Sequence, residues 1–127
     1  MMRVYPIFLS RLEGQRCVVF GGNAEAERKV AELLECGAEV VLISETATPR
    51  LQQWAQEGRL VWHVRNYQAG DLKGALLTIV AVTNPAATES IWQEAQAERV
   101  LINAVDDVPH CTFVAGSVVR RGALVIA

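Results

Sequence analysis

Apolar runs of strand length alternate with helical patterns along most of this chain, and that alternation limits the fold more than any single motif. The first run, Cys17-Val18-Val19-Phe20 behind Arg16, is apolar throughout, as a parallel strand covered on both faces must be. Gly21-Gly22 ends it, and Asn23 is a good N-cap for a helix beginning at Ala24. Ala26, Val30, Leu33 and Leu34 then repeat at helical spacing to Cys36, with Gly37 as the stop. Ala38 to Ile43 is a second β-rich run. Thr48-Pro49 is a cap with proline at the first helical position, and the helix it opens runs to about Gln56, ending by Gly58.

Leu60 to Val64 is a third strand, and Asp71-Leu72-Lys73-Gly74 reads as a short helical turn. Leu76 to Val82 is the most apolar strand, predicted to lie centrally in the sheet. Thr83-Asn84-Pro85 breaks it, Ala86 to Ala97 resumes a helix with Ile91, Trp92 and Ala95 on one face, and Val100 to Asn103 is a fifth strand. Strand–helix repetition implies right-handed crossovers. The prediction is an α/β, Rossmann-like, doubly wound parallel sheet of order 3-2-1-4-5.

A chain of 127 residues is about one domain and can bury roughly two thirds of its unfolded surface. Hydrophobic content of 51% against 20% charged residues excludes a disordered chain. A net charge of −2 argues against nucleic acid as a partner. No apolar run reaches membrane-span length, and no signal-peptide core is visible. Cys17, Cys36 and Cys111 form no CxxC pair, so reduced thiols in a cytoplasmic protein are expected and no metal site is assigned.

After Asn103 the rhythm changes. Ala104 to His110 is a polar loop, followed by apolar runs Cys111 to Val119 and Ala123 to Ala127 around Arg120-Arg121-Gly122. That pattern predicts a β-hairpin turning near Arg121-Gly122. The expected division is a nucleotide-binding domain over 1–110 and the start of a dimerisation segment over 111–127. Because the last run stops without a cap, it is expected to dock on a partner chain or to continue in a longer polypeptide.

Several residues carry possible chemistry. The Gly21-Gly22-Asn23 turn would gather free N–H groups and the positive end of a helix dipole, an anion site of the kind that dinucleotide pyrophosphates use. Its spacing, G-x-N-x-x-A, lacks the second glycine of the usual fingerprint, and an ordinary strand-to-helix turn has the same look. Ser44 and Glu45 end the second strand, where cofactor ribose hydroxyls are bound. Ser44 is the expected contact, and Glu45 would serve if the strand ran one residue longer. Asp106 leaves the carboxyl end of the fifth strand, where such sheets place their ligand crevice, although an Asp-Asp pair in a loop is also an ordinary cap. His110 reads as polar surface without a second metal ligand at fitting spacing, and His63 as structural. Arg28 and Lys29 read either as a solvated helix face or as a hold on cofactor phosphate or substrate carboxylates.

Together these pieces resemble a family, the N-terminal dehydrogenase domain of the siroheme synthases (precorrin-2 dehydrogenase/sirohydrochlorin ferrochelatase). The resemblance rests on Tyr5-Pro6-Ile7-Phe8-Leu9, Val18 to Lys29, Gly37 to Val40, Asp71 to Gly74, Ala81 to Asn84, Asn103 to Asp107, Cys111-Thr112-Phe113 and Arg120-Arg121-Gly122, in the same order over nearly the whole chain. It implies NAD as cofactor, oxidation of precorrin-2 to sirohydrochlorin, in some members iron insertion, and a cytoplasmic homodimer with no membrane or nucleic-acid partner. It also implies Asp106 as catalytic, with Gly21, Gly22, Asn23, Ala24, Glu25, Ser44, Glu45, Thr83 and Asn84 at the cofactor. The family turn is usually G-G-G-x-V-A-x-R-K. Here Asn23 stands for the third glycine and Glu25 for the valine, so a side chain tolerant of left-handed angles is expected to crowd the pyrophosphate. Glu25 and Glu27 add negative charge there. Asn84 stands where Asp is usual, Glu89 where Asn is usual, and Gly116 where proline is frequent. The alternative function is a nucleotide-binding regulatory module without turnover.

Overall fold

A computed structural model describes residues 3–114, 119–121 and 124–126. Five strands, β1 (Arg16–Phe20), β2 (Glu39–Ile43), β3 (Leu60–His63), β4 (Leu77–Val80) and β5 (Leu101–Ala104), form one all-parallel sheet in the order β3-β2-β1-β4-β5. The connections carry α1 (Ala24–Glu35), α2 (Pro49–Gln56) and α3 (Pro85–Glu98). The expected order and alternation are therefore found. The middle strand, however, is β1, and β4 lies one place over.

Strand alternation sends successive side chains to opposite faces and makes two cores. Cys17 and Val19 of β1, with Val40, Leu42, Leu77 and Ile79, meet Ala26, Val30 and Leu33 of α1 and Leu51 and Trp54 of α2. Val18 and Phe20, with Val41, Ile43 and Val80, meet Leu72 and the Ile91 and Ala95 stripe of α3. A fully buried Val, Leu, Ile or Phe contributes about 1.5–3 kcal/mol, which makes the continuous β1 run a principal source of stability. Burial pushes the Cys17 thiol up to about 11, as suits an inert core cysteine.

β4 ends at Val80, two residues short of the expected strand, for a local reason. The Ala81 N–H still donates to Phe20, but the Ala81 carbonyl accepts from the Asn23 side chain at 3.1 Å and so leaves the ladder. Asp71 to Gly74 are hydrogen-bonded turns rather than a helix. Glu94 of α3 accepts from the N–H groups of Gly70 (2.9 Å) and Leu72 (2.8 Å) and from the Tyr67 hydroxyl. Arg65 grips Asp71 through two bonds of 2.8 and 3.0 Å. Burial would raise the Asp71 pKa, but the bonds from Arg65 and from the Gln68 N–H outweigh it and hold the carboxyl below its usual value. This clasp sets the Tyr67 ring edge-on to Phe20, with centroids 5.7 Å apart.

The lead-in Tyr5 to Leu9 has no regular secondary structure and is exposed, and Leu12 is where the chain enters the core. His63 sits exposed on the β3 edge. Near the end of the chain, β6 (Val119–Arg121) and β7 (Leu124–Ile126) pair antiparallel, Arg121 opposite Leu124, as a sheet of their own. The expected turn at Gly122, and residues 115–118 of the first apolar run, lie outside the described residues. Among the described residues no helix is long and apolar enough to cross a membrane.

Candidate functional site

The carboxyl ends of β1, β2, β4 and β5 open onto two hollows, separated by the chain leaving β4. The glycine turn lies between Phe20, which lines one hollow, and Asn23, which lines the other. Gly21 has φ +111°, and a Cβ there would stand 2.5 Å from the Ala81 carbonyl oxygen. At Gly22 a Cβ would fall 1.7 Å from the Thr46 carbonyl oxygen. The loop from β2 to α2 lies directly across the turn. The Thr48 N–H donates to Gly22 at 3.0 Å, and the Thr48 hydroxyl donates to Glu27 at 2.6 Å. The close approach that excludes a side chain at Gly22 is thus made by the protein's own backbone.

Asn23 has φ −89°, an ordinary extended angle, so the left-handed tolerance expected of it is not used. Its Oδ1 accepts from the Ala26 N–H at 2.9 Å and its Nδ2 donates to Ala81, which pins the side chain between α1 and the end of β4. Ala26 and Glu27 N–H groups are thereby satisfied at Asn23, whereas Ala24 and Glu25 have no such partner among the described residues. These two amides, at the positive end of α1, fit an anion such as a pyrophosphate. The Glu25 charge expected to oppose that anion is paired with Arg28.

The first hollow, about 280 Å³, is near the lower size for a ligand pocket and is lined by Phe20, Ile43, Ser44, Tyr67, Asn84 and Ser90 among others. Ser44 is fixed at the strand end. Its N–H donates to His63, its carbonyl accepts from the Trp62 indole at 2.9 Å, and its hydroxyl oxygen accepts from Thr46. Glu45 lies beyond the end of β2, exposed and outside this lining. The Asn84 side-chain oxygen accepts from Ala86 and Ala87 N–H groups and so caps α3. An asparagine at this position is explained by capping.

The second hollow, about 340 Å³, is lined by Asn23, Glu25, Ala81, Val82, Thr83, Val105 and Asp106. It continues past Glu25 and Asp106 toward Lys29, Asn103, Asp107 and Cys111. Asp106 is exposed at the turn leaving β5 with φ +59°, one of three non-glycine residues in the left-handed region among those described. Asp tolerates that angle, and an observed outlier beside a cleft is a reason to suspect function. Asp107 has a different environment: its Oδ2 lies 2.9 Å from His110 Nδ1.

His110 is more than the polar surface residue expected. Its other nitrogen is 3.4 Å from Glu89 of α3, and Trp92 meets the ring edge-on at 5.6 Å. The Nδ1 contact to Asp107 is a charge contact lacking hydrogen-bond alignment. Asp107 first, and Glu89 second, raise the His110 pKa. Glu89 comes from 21 residues upstream in the chain, so no sequence spacing could have announced this triplet. The Cys111 thiol donates to the Ala104 and Asp107 carbonyls, both at 3.3 Å, and closes the loop beneath Asp106. Among the described residues no three His, Cys, Asp or Glu side chains are placed to hold a metal ion.

The proposed set therefore divides in space. Ser44 and Asn84 border one hollow, Asn23, Glu25, Thr83 and Asp106 border the other, and Gly21, Gly22 and Ala24 are in the lining of neither. Lys29, left open between two readings by the sequence, is drawn into the second hollow, while Arg28 stays in solvent with 67% of its side chain exposed.

Residues 8–117 match a family described as "Putative NAD(P)-binding". The chain is 35% identical over 126 residues to the siroheme synthase of Nitrosococcus oceani, covering 99% of this chain and 27% of that protein. It is 36% identical over 126 residues to siroheme synthase 1 of Serratia proteamaculans, covering 99% of this chain and 26% of that one. It thus spans about a quarter of the length of these curated relatives. Among solved structures it resembles SirC, a precorrin-2 dehydrogenase, with a TM-score of 0.84 at 22% identity over 98% of this chain and 60% of that one. The last likeness is one of fold.

Proposed function

We propose that this chain, which belongs to the NAD(P)-binding family matched over residues 8–117, uses NAD⁺ to oxidise precorrin-2 to sirohydrochlorin in siroheme synthesis. One observation carries the proposal: Asn23 and Glu25, where α1 begins after the glycine turn, share the lining of a single cleft with Asp106. A hydride acceptor and a proton acceptor are thereby within reach of one substrate. The siroheme synthases that align with 99% of the chain support the choice of substrate.

In this reading the Ala24 and Glu25 amides hold the cofactor pyrophosphate, Ser44 meets the adenosine ribose, and Thr83 and Asn84 border the cofactor where β4 ends. Bound NAD⁺ supplies the hydride acceptor. Asp106 takes the proton that leaves as the second hydrogen, so that two hydrogens depart as hydride and proton. Iron insertion is not part of the proposal. Three free cysteines suit a reducing, cytoplasmic setting.

We extend the proposal to a homodimer joined through the segment after Cys111. The β6–β7 hairpin is a separate two-stranded sheet, an arrangement marginal by itself, and Val119, Leu124, Val125 and Ile126 make its sequence apolar. Light scattering at micromolar concentration should report a dimer, and a monomer there would remove this part of the reading.

The test of function is direct. Purified protein mixed with NAD⁺ and precorrin-2 should convert the tetrapyrrole spectrum while NADH accumulates. Tight NAD⁺ binding without oxidation would favour the regulatory module instead. Failure to bind NAD⁺ would sink both readings.

A further inference from the structure

We infer that Lys29 is a positioning residue that captures a carboxylate of the substrate beside Asp106. The inference rests on the proposed tetrapyrrole substrate. Lys29 follows Glu25 by one helical turn, and both line the hollow that holds Asp106 and Asp107. Of these four charged residues, three are acids. Glu25 is already paired with Arg28 and Asp107 with His110, which leaves Lys29 as the cation facing Asp106.

The burial of Lys29 needs a cause. Arg28 next to it is mostly in solvent, yet only 18% of the Lys29 side chain is exposed. Its charged contact among the described residues is Glu32, at 4.0 Å and itself 47% exposed, a loose surface pairing. A lysine stem covered in this way can still carry its ammonium to the rim of the hollow, within reach of an incoming anion. A tetrapyrrole of this class carries acetate and propionate groups around its rim. Such a polyanion entering a hollow with Asp106 and Asp107 in its wall meets repulsion unless a cation is present. Lys29 supplies that cation, and its position fixes which edge of the macrocycle approaches Asp106.

Lys29→Gln, Lys29→Arg and wild type would be compared in two assays. In turnover of precorrin-2 at saturating NAD⁺, Lys29→Gln should raise KM on the order of tenfold while kcat holds within about twofold, the mark of a binding contact rather than a chemical one. Lys29→Arg should restore most of the affinity, which a merely space-filling role would not require. In the second assay, fluorescence titration with uroporphyrin should show the same loss in Lys29→Gln, and its methyl ester should bind no variant differently. NAD⁺ affinity should be equal in all three proteins. An unchanged KM and unchanged uroporphyrin binding in Lys29→Gln would overturn the inference, as would a loss confined to NAD⁺ binding. A wild type that leaves precorrin-2 unoxidised would defeat the dehydrogenase reading. The carboxylate contact would then be decided by the uroporphyrin titration, where equal or absent binding in wild type and Lys29→Gln refutes it.

Discussion

Gly22→Ala is expected to cost this domain about 3 kcal/mol or more, a large share of the 5–15 kcal/mol that holds a typical domain folded. The added methyl would stand 1.7 Å from the Thr46 carbonyl oxygen, 2.6 Å from its carbon and 2.8 Å from the Ala47 Cα. All three are backbone atoms, so no flexible side-chain end can swing aside. The loop from β2 to α2 has to move as a body, and it is not free to do so. Thr48 is tied to Gly22 and Glu27 and also caps α2 through the Leu51 N–H at 3.3 Å. Moving the loop therefore loosens the helix that puts Leu51 and Trp54 into the core. Gly58→Ala is the comparison. Its Cβ meets nothing within 4 Å, so only the left-handed backbone at φ +75° is strained, at about 1–2 kcal/mol. Urea titrations of the two variants test the difference. Equal midpoints would mean that the loop yields and that the turn is not locked by its neighbour.

That contact also marks the limit of what the sequence discloses. The order of the sheet is legible because each strand carries its own run of apolar residues and the first two helices carry readable caps, Asn23 and Thr48, whereas Asn84 reads only as a strand break and turns out to cap α3. The placement of Ser44 just past the end of β2 is legible for the same reason, because the apolar run stops at Ile43. Gly22 reads as one of a pair of turn residues, but its neighbour is Thr46, brought across by the tertiary fold. Asn23 reads as a glycine substitute needing an unusual angle, whereas it holds an ordinary one and bonds Ala81, 58 residues away. His110 and Glu89 belong to different elements, and Arg28 and Lys29 are adjacent in sequence but face different surroundings. Periodicity assigns faces to a helix; it does not tell which rim of that face a neighbouring loop will cover.

Asp106→Asn is expected to leave fold and NAD⁺ binding intact while lowering precorrin-2 oxidation on the order of 10²–10⁴-fold, the range that a positioned general base contributes. Asparagine keeps the size of the side chain and one carbonyl oxygen. It also tolerates the left-handed φ of +59° at this position, so the turn after β5 should persist. What is lost is the ability to take a proton. Asp107→Asn is the neighbouring control, and its environment makes the expected result different in kind. Asp107 faces His110 at 2.9 Å, so its neutralisation should lower the His110 pKa and loosen the loop's tie to Glu89 on α3. That change acts on the loop and should reduce the rate far less. If both aspartates were only loop caps, the two variants would show small and similar losses. Rates measured with precorrin-2 at saturating NAD⁺ separate the cases, and equal activities in Asp106→Asn and Asp107→Asn would remove Asp106 from the chemistry.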